Sequence, residues 1–449
     1  MKKFPLLTIS LLSSALVLPA CGDDGNSDDG STTAETGDAD TSTGSGECAD
    51  PTDPNAPKVA VDANVDADTT WSCENIYILD GQIFVNGATL TIEPGTTVKG
   101  LGGSALVIEK DAMLMADGTA DAPIVFTSNS TSPARGDWGG LVLLGDAPTN
   151  LGAPGNAEGF VNAPTYGGDD AAHNCGTLRY VRVEYAGFAI SEGNELNGIT
   201  FYACGSGTTV SYVQSHMGQD DGMEWFGGGF DADHLISTGA ADDSFDIDQG
   251  FGGNFQFLFV HQDPTIGDNC FEISNQGDDF AATPRTAPIV ANATCVGSGS
   301  GGDKSKGITY KEGTNGQTWN SIITNATNEA VLLTHPETQA EAMAGNLAFA
   351  GDFIYGNGET AFNTGSSATW TGADLQAWIE SAGMNVLDTD AGLPSAAWGS
   401  PNIAPAADSA AAGAGQTLPS GFTATDYAGA VEPGTSDDWT QAAWINYTP

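Results

Sequence analysis

Positive charge is what this chain has least of. Its 449 residues carry 12 Lys plus Arg against 58 Asp plus Glu, for a formal net charge of -46. Nothing is available to neutralise a run of phosphates, so nucleic acid is excluded as a partner. A bare anionic membrane surface is excluded on the same ground. Such a charge suits a protein working in salt, where screening limits self-repulsion, and it makes divalent cations natural counter-ions. Histidine is scarce too. His173, His216, His234, His261 and His335 lie scattered without close paired spacing, which argues against a zinc site. No linear EF-hand or nonapeptide calcium motif occurs. With 60 Gly and so little Lys, long surface helices are not expected. One helix candidate is Thr371–Ala382, where Leu375, Trp378 and Ile379 share a face.

The N-terminus is of a different kind. Lys2 and Lys3 precede an apolar run, 4–18, that is too short to span a bilayer comfortably. Leu18-Pro19-Ala20-Cys21 follows, and this stretch resembles a bacterial lipobox. Residues 1–20 are expected to be a signal peptide. Cys21 is expected to become a lipidated N-terminus, held in the membrane by several acyl chains. The simpler alternative is secretion with a cut near Ala20. Gly22 and Asp23 follow the cysteine, which favours the outer membrane and a cell-surface site in a diderm cell. Residues 21–60 are expected to form a tether. Between 22 and 57 there are ten acidic residues, no Lys or Arg, and almost no large apolar side chain. Such a segment cannot bury enough apolar surface to offset the entropy of ordering it.

The body repeats. Short alternating bursts run through Ile83 and Val85, Leu90 and Ile92, Leu106 and Ile108, then Ile124 and Phe126, with turn residues between them. In the centre, Asp220-Asp221-Gly222-Met223-Glu224-Trp225, Asp242-Asp243-Ser244-Phe245-Asp246-Ile247 and Asp268-Asn269-Cys270-Phe271-Glu272-Ile273 superpose at offsets of 22 and 26 residues. Weaker copies stand at 197–201 and 306–310. A second strand recurs at 210–213, 234–237 and 255–260. A repeat of this length built from short strands is one coil of a solenoid. The fold class is therefore all-β: a single-stranded parallel β-helix, expected to be right-handed, with terminal caps. The helix is assigned to 61–395, and 396–449 to the last coil and C-terminal cap. Alternation points Ile199, Phe201, Met223, Trp225, Phe245, Ile247, Phe271, Ile273, Ile308 and Tyr310 inward. It points Thr200, Glu224, Asp246, Glu272 and Thr309 outward.

Beyond Cys21 there are six cysteines, and coil length suggests their pairing. Cys48–Cys73, Cys175–Cys204 and Cys270–Cys295 are separated by 25, 29 and 25 residues, each close to one turn of the solenoid. One turn brings the chain back to within disulfide reach.

Leu90-Thr91-Ile92-Glu93-Pro94-Gly95-Thr96, residues 118–128, Gly136-Asp137-Trp138-Gly139-Gly140-Leu141, residues 180–187 and the two Asp-Asp coils together resemble a group of bacterial surface and outer-membrane lipoproteins with parallel β-helix bodies. Residues 425–431 and 438–440 share that likeness. The resemblance implies export and a β-helix. It implies no particular activity, since the group is mostly uncharacterised.

Three explanations compete for the acidic coils at 216–272. In the first, the Asp and Asn residues at 221, 243 and 269 are turn residues bonding to nearby backbone. In the second, Glu224, Asp246, Glu272 and Asp248 bind Ca²⁺, a hard ion matched to carboxylate oxygens. In the third, Asp220, Asp221, Asp242 and Asp243, with His216, perform acid–base chemistry as a polysaccharide hydrolase or lyase. Pectin-cleaving β-helix hydrolases resemble this loosely, with an aspartate pair and a histidine, but the basic pair that grips an acidic sugar is missing from these coils. The main expectation is thus a surface lipoprotein with a structural or binding role, its partner a polysaccharide or a surface protein. The carbohydrate-active enzyme is the alternative. Tyr202 and Phe226 are expected to face outward, where rings can stack on sugars or a protein.

Overall fold

The computed structural model describes residues 46–191, 194–299, 304–365 and 369–449. The expected signal peptide, Cys21 and most of the expected tether lie outside them. The described chain is an all-β parallel solenoid. Ten strands, one per coil, form one sheet from Gln82–Val85 to Phe362–Asn363. The remaining walls belong to a sheet of 17 strands. Most central coils cross this second sheet as one long strand, such as Thr209–His216 or Asn254–His261. Each of these bends at one left-handed residue: Tyr180, Tyr212, His234, Phe257 and Asn292 all have φ between 48° and 62°.

Register follows the sequence repeat. Met223 pairs with Ile199 on one side and Phe245 on the other; Phe245 pairs with Phe271, and Phe271 with Ile308. The ten residues expected to point inward are all 2% exposed or less. Their rings form a column: Phe201 stacks on Trp225 at 5.6 Å, and Phe245 on Phe271 at 5.3 Å. Each such ring contributes roughly 1.5–3 kcal/mol through burial. The column needs its neighbours above and below, which ties the coils into one core.

The three disulfides join Cys48 to Cys73, Cys175 to Cys204 and Cys270 to Cys295, with Cα separations of 4.7, 5.7 and 6.0 Å. These are the pairs that coil length suggests. The first bridge shortens the expected tether. Gly46 onward belongs to the body, and the first strand, Lys58–Val61, already pairs with Ile76–Leu79.

The C-terminal end differs more. Helix Gly372–Ser381, capped by Thr371, packs on Phe362–Asn363 and buries Leu375 and Ile379 in the main core. This helix, inside the range given to the coils, covers the end of the solenoid. Residues 396–449 are neither last coil nor end cap. They run back along the 17-stranded sheet as a strap. Ile403, Val431 and Trp444 of the strap pack against Ile236, Phe259 and Val296 of the coils. Outward polar side chains of the coils hold the strap's backbone: Gln256 exchanges two hydrogen bonds with Thr423, and Gln214 two with Asn446. A second helix, Pro336–Ala344, has no counterpart in the sequence expectations.

Candidate functional site

Each central coil enters the ten-stranded sheet through a tight turn. Gly222 stands in one of these because a Cβ there would lie 2.6 Å from the Ser244 carbonyl oxygen of the next coil. The residue before it links the coils. Asn197 Oδ1 accepts the Asp221 backbone N–H at 3.2 Å, Asp221 Oδ1 accepts that of Asp243 at 2.8 Å, and Asp243 Oδ1 accepts that of Asn269 at 2.6 Å. The turn residues thus do bond to backbone, but across coils and not within their own turn. One carboxylate oxygen per aspartate is fixed by this role.

The strand that follows carries the outward set. Glu224, Asp246 and Glu272 are register neighbours, flanked by Thr200 and Thr309. Their direction follows the alternation, but their exposure does not. Thr200 is 1%, Glu224 7% and Thr309 3% exposed. The excursion at 145–197 folds over this face. Its Glu158 shares a hydrogen bond with Glu224, and its Tyr166 lies against Tyr202 and Phe226. Tyr202 and Phe226 are therefore buried and stacked on each other at 4.6 Å, not free to meet a ligand.

Together the turns and strands assemble eight carboxylates. Asp220, Asp221 and Asp242 place ligand atoms within 4.8 Å of one another, as do Asp221, Glu224 and Asp246; Asp242, Asp243 and Asp268; and Asp243, Asp246 and Glu272. These overlapping groups form one continuous array. Burial, reinforced by Asp243 and Asp246, raises the Asp221 carboxyl well above its usual range. Burial and Glu158 do the same to Glu224, and burial and Glu272 to Asp243 and Asp246. At the rim, burial and Asp242 push Asp220 up to about 7. Three lysines answer this charge: Lys306 pairs with Asp268, Lys311 pairs with Glu272, and Lys304 beside Lys306 offsets part of the rise that burial imposes on Asp242. Burial alone would lower the Lys311 ammonium, but Glu272 and Asp246 beside it raise it.

One atom stands apart. Asp246 Oδ1 is buried without a hydrogen-bond partner. A buried acceptor left unpaired costs about 1–3 kcal/mol, and more when charged. A hard divalent cation among these oxygens would satisfy that atom and let its neighbours ionise together. The array can therefore coordinate a divalent ion.

Other expected members are elsewhere. Asp248 lies on the same strand as Asp246 but outside the four groups; its Oδ1 accepts the Gln249 backbone N–H, and burial pushes it up to about 7. His216 does not approach the aspartates as an acid–base partner. It ends a strand of the other sheet, and Met217, at φ 57°, turns the chain away before Asp220. Its ring bonds Thr238 Oγ1 at 2.7 Å and the Thr448 carbonyl at 2.9 Å, under the strap. His261 packs edge-on to Trp398 of the strap. Sequence reasoning missed the lysines and Glu158. Lys306 and Lys311 sat in the weak repeat copy at 306–310 and just beyond it, so their register was legible, whereas nothing local marked Glu158.

An acidic parallel β-helix with a carboxylate array on its outer face is the class that fold and site define. The pectate-lyase-like β-helix domain matches residues 63–401, and the chain belongs to that family. No curated protein and no solved structure matches it.

Proposed function

We infer that this is an exported lipoprotein, anchored through Cys21 on the outer membrane, whose β-helix acts on an acidic polysaccharide through Ca²⁺ held by the carboxylate array. The observation that carries this is the array itself: eight carboxylates, three lysines and an unpartnered Asp246 oxygen. The family supports a polysaccharide as partner. An acidic sugar needs a positive site, and among the described residues this face sets eight carboxylates against Lys304, Lys306 and Lys311, so bound cations would have to supply the positive charge. Bound Ca²⁺ would draw a sugar carboxylate and acidify the proton beside it. The chain's own part is to hold the ion with Asp221, Glu224, Asp243, Asp246 and Glu272 and to leave Asp220 and Asp242 at the rim.

One observation favours binding without cleavage. Lys306 and Lys311 are both engaged in ion pairs, so neither is a ready base. The test is to incubate the mature protein with polygalacturonate and alginate, in calcium and in chelator. Calcium-dependent unsaturated ends or new reducing ends are the expected result. Calcium-dependent retention without products would establish the binding form. Neither products nor retention would overturn the proposal.

A further inference from the structure

A second site lies on the corner of the 17-stranded sheet. The left-handed residues of four successive coils form a column there: Tyr180 stacks on Tyr212 at 4.5 Å, Tyr212 on His234 at 4.2 Å, and Phe257 lies tilted against His234 at 4.9 Å. The strap closes one flank of this column. Trp444 sets its edge against Tyr180 and Tyr212, and Trp439 against His234. The other flank opens on a groove of about 460 Å³, whose far wall is strap residues 421–423 with Phe422. Gln256 fixes that wall through its paired bonds to Thr423 at 2.7 and 2.8 Å. The groove thus exists because the strap is docked.

We propose that this groove binds an oligosaccharide segment that carries no carboxylate, of neutral or amino sugars. Three observations converge on that class. Each coil brings one ring and one polar side chain to the groove, Tyr212 with Ser211, His234 with Asp233 and Phe257 with Gln256, and the rings recur at 4.2–4.9 Å, close to the length of about 5 Å of one pyranose unit. Aromatic carbon on one wall with hydrogen-bonding side chains beside it is the mixture that a sugar's apolar faces and hydroxyl edges require. The charge is one-sided: Asp231 and Asp233 line the groove, while the one arginine there, Arg179, is already paired with Asp117 at 2.5 Å. Asp233 is about half exposed and also bonds His234 Nδ1 at 2.5 Å. A uronate would be repelled where a hydroxyl or ammonium is accepted. This site goes beyond the acid array, sharing none of its residues, and suits a glycan with mixed neutral and acidic regions.

The test is titration calorimetry on the mature protein in chelator, which silences the array. The probes are cellotetraose, a chitosan tetramer and tetragalacturonate. Saturable binding of cellotetraose or the chitosan tetramer is expected, weakened about tenfold or more by Phe422→Ala and by Asp233→Asn. A thermal melt accompanies each variant; if Phe422→Ala loosens the strap, the surface change Asp233→Asn decides. Absence of binding by both neutral and amino tetramers would overturn the proposal. So would binding that Asp233→Asn leaves unchanged, or equal binding of tetragalacturonate.

Discussion

Two faces of this solenoid carry a polar residue in coil after coil, and they are satisfied in different ways. On the 17-stranded sheet, Arg182, Gln214, Gln256, Asn292 and Asn320 each hold backbone groups of the strap between Gln416 and Asn446. Donors and acceptors there come from the same chain, and the ladder is closed. On the ten-stranded sheet the repeated residue is a carboxylate. Inter-coil bonds from the Asp221 and Asp243 turns use part of its capacity, and three lysines answer part of its charge. The first ladder adds stability by itself. The second accumulates repulsion that a ligand can relieve. A repeating polar face is therefore structural when amides meet backbone, and a candidate binding site when acids meet acids.

The largest loss of stability is expected on the closed side. Trp444 is 1% exposed and packs against Tyr180 and Tyr212, and its carbonyl accepts from Arg182. Trp444→Ala is expected to cost about 3–5 kcal/mol, read as a lowered denaturation midpoint. It should leave calcium affinity unchanged, because the described partners of Trp444, which are Tyr180, Tyr212 and Arg182, are not members of the array. A loss of calcium affinity as large as the loss of stability would show that the two faces are not independent.

A smaller effect sharpens the open side. Asp220 and Asp248 are raised to about 7 by burial. A carboxyl raised on folding contributes stability below its unfolded pKa and loses it as pH rises through the folded value. In chelator, the melting temperature should therefore increase from pH 8 to pH 6.5, by the equivalent of about 1–2 kcal/mol for these two groups. Burial holds His216 and His261 down to about 4, so their contribution is full only well above the ordinary histidine value; at pH 6.5 it is already reduced by about 0.4 kcal/mol each, which offsets part of the gain. With calcium present the part due to Asp220 should fade, while the part due to Asp248 and to the buried Asp352, which is raised to about 8 outside the array, should persist. A melting temperature that falls between pH 8 and pH 6.5 in chelator would contradict the charge balance described here.

Local pattern carried the coils and part of the site. The offsets between Asp221, Asp243 and Asn269 encode the register, and alternation encodes which residues of each strand face the core, because both are properties of adjacent coils. What local pattern could not carry is contact over long separations. Asn446 meets Gln214 across 232 residues, and nothing in the sequence of either marks the meeting. The same holds for Glu158 against Glu224, which is why the outward strand residues read as exposed. His216 misled for the opposite reason. It is four residues from Asp220, but one left-handed residue between them puts the two on different walls.

Calorimetric titration of Ca²⁺ into the mature protein, beside the Asp246→Asn variant, tests the central claim most directly. Saturable binding to the wild type is expected, with affinity at least about tenfold lower in the variant, because Asp246 supplies the buried oxygen that has no protein partner. No saturable heat at millimolar calcium, or the same affinity in both proteins, would contradict it.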